Sequence, residues 1–148
     1  MKRFLLPLCV GIGLTLSTAA FADDNVIGYI KTSTDETAII GAGNKLKAGL
    51  GSAVRVGDII KTDANGSAGL TLKDNTVLSI GPNTELKIEA YQFLPEQDRL
   101  ELSASLLSGT LQYISGVIAK LKPEAVRLNT PTGVIAVRGT RFLVKIAE

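Results

Sequence analysis

The 148-residue chain has no histidine and no tryptophan, and its lone cysteine and methionine, Cys9 and Met1, stand within the first ten residues. Without histidine, neither a Ser-His-Asp nor a Cys-His relay can be assembled. Without a second cysteine there is no intrachain disulfide and no thiolate metal cluster. One-sided charge is also missing. The chain has 16 Lys and Arg against 14 Asp and Glu, and Lys2 and Arg3 account for the excess of two. The remaining charges read as dispersed rather than gathered in a basic stripe, which argues against a nucleic-acid partner. Beyond residue 22 no apolar run approaches the roughly 20 residues of a membrane span, and no segment sustains a 3.6-residue period, so little helix is expected.

The first 22 residues have the form of a cleavable export signal. Lys2 and Arg3 are a short positive start, Phe4 to Leu16 carry no charge, and Ala20-Phe21-Ala22 is a small-x-small cleavage site. Cys9 follows Leu8 and lies too early in the apolar run for a lipoprotein cysteine. The expected product is one domain, residues 23–148, cleaved after Ala22, periplasmic, and without stable membrane insertion once the signal is removed.

The remainder alternates apolar and polar residues with period two, the pattern of strands with one buried and one wet face. Leu70/Leu72, Leu78/Ile80, Leu86/Ile88, Leu100/Leu102 and Phe142/Val144 are examples. Turn residues punctuate the runs. Asn65-Gly66 is a hairpin signal, Asp74-Asn75 and Gly81-Pro82-Asn83 mark reversals, and Pro131-Thr132-Gly133 suits a turn. Gly41 to Gly51 reads as an irregular glycine-rich loop, and Val117 to Leu121 as a short helical turn. Three Leu-x-Leu or Leu-x-Ile units recur at a spacing of eight, with Asn75-Thr76 and Asn83-Thr84 before the second and third. A meander of hairpins and a solenoid-like coil both satisfy that interval. The fold class is all-β: short strands in a twisted solenoid-like or sandwich-like stack.

Catalytic signals are weak. There is no Gly-x-Ser-x-Gly elbow, and the carboxylates fall singly on wet faces. A Ser-Lys or carboxylate pair remains only formally possible, so no enzyme is expected. Asp23-Asp24 and Asp35-Glu36 lack the oxygen-ligand spacing of a calcium loop, and no metal or cofactor is expected. Tyr91 and Phe93, two apart on a strand, share a face. They form either an exposed contact patch or a cap on the core beside Pro95.

Two segments are the most distinctive, Val56 to Thr62 and Asn129 to Phe142. Gly57-Asp58 reads as a turn entering a strand, and Gly139 as a bulge or close backbone approach. Arg138 follows four apolar residues and is expected to be partly buried, with Asp58 as its carboxylate partner. These segments resemble the FecR domain family, which pairs Gly-Asp-x-Ile-x-Thr with a later Thr-Pro and Val-Arg-Gly-Thr-x-Phe. The matching positions are Gly57, Asp58 and Thr62, then Thr130, Pro131, Val137, Arg138, Gly139, Thr140 and Phe142, with Ala136 where the family has glycine. The resemblance extends over roughly Leu46 to Ile146.

The resemblance implies a periplasmic, twisted, solenoid-like β stack. In relatives such a region follows a cytoplasmic anti-sigma segment and one membrane span, and it senses an outer-membrane transporter. This chain shows a signal peptide in their place, so it is not expected to carry a signal into the cytoplasm itself. The implied role is a soluble module that binds an envelope protein by a strand edge or a sheet face, in sensing or scaffolding. A module for cell-wall polysaccharide or peptidoglycan is the alternative, and a cryptic hydrolase a remote third.

Overall fold

The computed structural model describes residues 25–147, so the signal-peptide reading of residues 1–22 lies outside the described residues. Among the described residues thirteen strands, numbered in sequence order, form two sheets. The first holds six in the order β13 (Arg141–Lys145), β10 (Thr110–Ile114), β7 (Val77–Ile80), β6 (Ala68–Leu72), β1 (Val26–Ser33), β4 (Ala53–Arg55). The second holds seven in the order β12 (Gly133–Ala136), β11 (Val126–Thr130), β9 (Arg99–Ser108), β8 (Glu85–Leu94), β5 (Ile59–Thr62), β2 (Thr37–Gly41), β3 (Asn44–Lys47). Neighbours pair antiparallel except β9 and β11, which run parallel and are joined through β10 and the one-turn helix α1 (Val117–Leu121). The all-β expectation holds, and the helical turn falls at the residues named for it.

Of the two architectures left open, the structure is sandwich-like. Both sheets nonetheless run through the chain in nearly monotonic order, so the polypeptide advances from one end of the sandwich to the other as it passes between sheets. The eight-residue units show how. Leu70, Leu72, Leu78, Ile80, Leu86 and Ile88 are all buried. The first interval is a hairpin, β6 to β7, and the second is a crossover, β7 to β8. Both use the same local device: Asn75 and Asn83 take positive φ (68° and 52°), and the following Thr76 and Thr84 are buried. Asn tolerates that conformation where most residues do not.

The inward side chains of both sheets form one core with Ile118 of α1. Each large buried aliphatic contributes about 1.5–3 kcal/mol relative to exposure.

Two turn expectations are corrected. Residues 41–51 are not a continuous irregular loop: Ala42 (φ 49°) and Gly43 (φ 78°) turn β2 into β3. Asn65-Gly66 does not close a hairpin. It lies in the crossover from β5 to β6, in opposite sheets, and neither residue has positive φ. Gly66 is required by space instead, because a Cβ there would meet Glu36 O and the Thr62 Cβ, each at 2.7 Å.

Candidate interaction surface

The first distinctive segment is built into the fold. Gly57, at φ 89°, turns the chain from β4 into β5. Its N–H donates to Ile88 O (2.7 Å), and Ile88 N–H donates to Asp58 O (3.1 Å), which fastens the turn to β8. The buried Asp58 carboxylate accepts the Arg55 N–H at 2.8 Å. It packs so closely on Gly41 that a Cβ there would collide with Oδ1. Thr62 is buried at the crossover: its hydroxyl donates to Gly81 O (2.7 Å) and accepts the Thr84 N–H (2.9 Å). The Thr84 hydroxyl in turn accepts the Thr110 N–H (3.0 Å). Three connections between sheets are thus held by two threonines.

A second polar node was not singled out in the sequence. Asp74, fully buried, accepts from the Thr76 hydroxyl (2.7 Å), the Tyr91 hydroxyl (2.9 Å) and the Ile118 N–H (3.1 Å). Its carbonyl accepts the Val117 N–H (2.8 Å), so Asp74 anchors the start of α1. Gly116 is fitted against it, since a Cβ would lie 2.5 Å from Asp74 O. Burial, then the Asp74 charge, raises the Tyr91 pKa far above the ordinary tyrosine value, which keeps the phenol a donor. Burial likewise raises Tyr113, whose ring stacks on Phe142 with centroids 4.8 Å apart.

Tyr91 and Phe93 are half-buried against the core. That packing fits the cap reading, and both residues also line an open groove with Val26, Val56 and Leu94. An exposed aromatic lies elsewhere: Tyr29, 43% exposed, faces outward on β1, in register with Thr71 and Ala53. A period-two reading of β1 places it on the wet face, but nothing local marks it as a contact residue.

The second distinctive segment lies at one end of the sandwich. Thr130 and Pro131 lead from β11 to β12, with the Thr130 hydroxyl donating to Gly133 O (2.9 Å). Val137 enters the core. Gly139, at φ 92°, lies in the crossover to β13 rather than in a strand bulge. Its carbonyl accepts the Ser115 hydroxyl, and the Thr140 carbonyl accepts the Ser115 N–H, both at 2.9 Å. The side chains of Arg138 and Thr140 are exposed.

The expected Asp58–Arg138 contact is therefore overturned. Asp58 is consumed by its own turn, at the β5 side of the second sheet. Arg138 follows an edge strand of four residues, and an apolar run at an edge does not imply burial of what comes next.

The cations are less dispersed than their count implied. From residue 109 to residue 148 stand Lys120, Lys122, Arg127, Arg138, Arg141 and Lys145 against two acids, Glu124 and Glu148. Among the described residues, Arg127, Arg138 and Arg141 form no ion pair. Opposite charges along the whole chain cancel in the total and hide this local excess.

Buried polar nodes inside two sheets, with strand edges at the ends, define a two-sheet all-β module. The particular family follows from the sequence: the model of the FecR protein family matches residues 58–148, and the chain belongs to that family of signalling and regulatory domains. The match begins within the Gly57-Asp58 turn and includes β5 to β13. No curated protein and no solved structure matches the chain.

Proposed function

We propose that this protein is an exported, periplasmic FecR-family module that binds a protein of the cell envelope. The observation that carries the reading is the end of the sandwich made by β12 and β13. Both are edge strands, each closing one sheet, and both lie within the family match. Exposed edges, and the exposed Arg127 and Arg138 beside one of them, are features that a folding role leaves unexplained, and strand edges are ready templates for another chain.

The polysaccharide reading receives less support, because its candidate platform, Tyr91 and Phe93, packs on the core. Export rests on the Lys2–Ala22 pattern. Among the described residues no helix is long and apolar enough to cross a membrane.

The test has two parts. Mass spectrometry of the protein from cell fractions should find it starting at Asp23 in the periplasmic fraction. An intact Met1 in the cytoplasm would end the export reading. Affinity capture from solubilised envelope should then retain one membrane protein on the wild-type domain and lose it on folded Arg138→Ala. Retention on purified cell wall alone would favour the polysaccharide alternative.

A further inference from the structure

The four sheet edges are not alike. At one end β3 carries Lys45 and Lys47, and β4 has only three residues. These strands, with β1 and β2, precede the family match, and β1 and β2 pair edge to edge with β6 and β5, so they close that end of both sheets. At the other end β13 is flanked by Arg141 and Lys145. The remaining edge, β12, reads Gly133-Val134-Ile135-Ala136. It has no charge and no proline, and Val134 is 65% exposed. Sheets ordinarily protect edges with lysine, proline or brevity, and an unguarded apolar edge invites a strand.

We propose that β12 accepts an extended, carboxylate-bearing segment of a partner protein as an eighth strand of the seven-stranded sheet. The inference rests on the protein-binding reading above. The register fixes what such a segment meets. Ile135, opposite Leu128, packs toward the core, so an inward apolar side chain beside it would extend that core. Val134 and Ala136, opposite Asn129 and Arg127, face outward. They line a groove of about 400 Å³ with Pro123, Glu124, Arg127 and Arg138, so two cations there outnumber one acid.

An added strand lies about 5 Å from β12 and about 10 Å from β11, so Arg138, which follows β12, is the nearer cation for carboxylates on its outer face, and Arg127 lies one strand further in. Charge decides between occupants. A second copy would bring an equally cationic end to this one, whereas an acidic segment neutralises it.

The test uses the protein as the cell processes it and two ten-residue peptides, one alternating glutamate with valine and one alternating lysine with valine. The glutamate peptide should slow amide exchange at residues 133–136. It should bind Arg138→Glu about tenfold more weakly at low salt, while Leu46→Glu on β3 should leave it unaffected. Val134→Glu, at an exposed site, should abolish binding without unfolding the domain. Equal binding of the lysine peptide, protection at β3 instead of β12, or no binding of the glutamate peptide would overturn the proposal. Self-association through residues 133–136 would overturn it in favour of a second copy. If Val134→Glu and Arg138→Glu still retain the envelope protein, the edge assignment fails while the protein-binding reading stands. If the wild type retains none, that reading itself fails.

Discussion

The two signature segments of this chain, 56–62 and 129–142, look equally conspicuous as sequence and do different work in the structure. In the first, every distinctive polar side chain is buried and spent: Asp58 on the Arg55 N–H, and Thr62 on Gly81 O and the Thr84 N–H. In the second, Val137 and Phe142 pack, while Arg138 and Thr140 are exposed. A family motif therefore mixes residues that make the fold with residues that the fold merely presents, and burial separates them.

Substitutions can break that contrast. The largest effect is expected from Asp58→Ala, which strands a backbone donor in a turn fastened to β8. We expect a loss of about 2–3 kcal/mol, read as a lower urea midpoint. Thr62→Val keeps the shape and removes the hydroxyl that serves both Gly81 and Thr84, so roughly 1–2 kcal/mol should be lost in the same assay. Gly139→Ala should cost about 1 kcal/mol because of the positive φ, seen as a lower thermal midpoint. Arg138→Ala should stay within about 0.5 kcal/mol of wild type and still lose the captured envelope protein. A large destabilisation by Arg138→Ala, or none by Asp58→Ala, would erase the distinction.

The Asp74 node sharpens the comparison through pH. The fold holds the Tyr91 phenol neutral above its ordinary value of 10.0, so as pH rises the unfolded chain releases that proton first. The stability it contributes is complete below pH 10.0 and declines above it as pH approaches the folded value. Urea midpoints measured on either side of pH 10 should fall less for Tyr91→Phe than for wild type. Equal declines would remove Tyr91 from the account.

Much of the fold was legible because its signals are local. Alternation placed the strands, and Val117 to Leu121 emerged as the helix. The Asn75-Thr76 and Asn83-Thr84 repeat marked two turns that share a conformation. What was not legible depends on distance. Asn65-Gly66 has hairpin chemistry, yet whether a turn stays in one sheet or crosses to the other is decided by core packing. Asp74 looked like a turn residue because its partners Tyr91 and Ile118 lie 17 and 44 residues away. Arg138 was misread because nothing in the run Val134 to Val137 reveals that β12 is an edge. The cationic end escaped notice for a similar reason, since the total charge averages over the molecule.

The most direct test of the central claim is paired measurement of Arg138→Glu by thermal melting and by capture from solubilised envelope. The account predicts an unchanged melting temperature and loss of the envelope protein retained by wild type. Retention of that protein on the folded variant, or a variant that no longer folds, would contradict it.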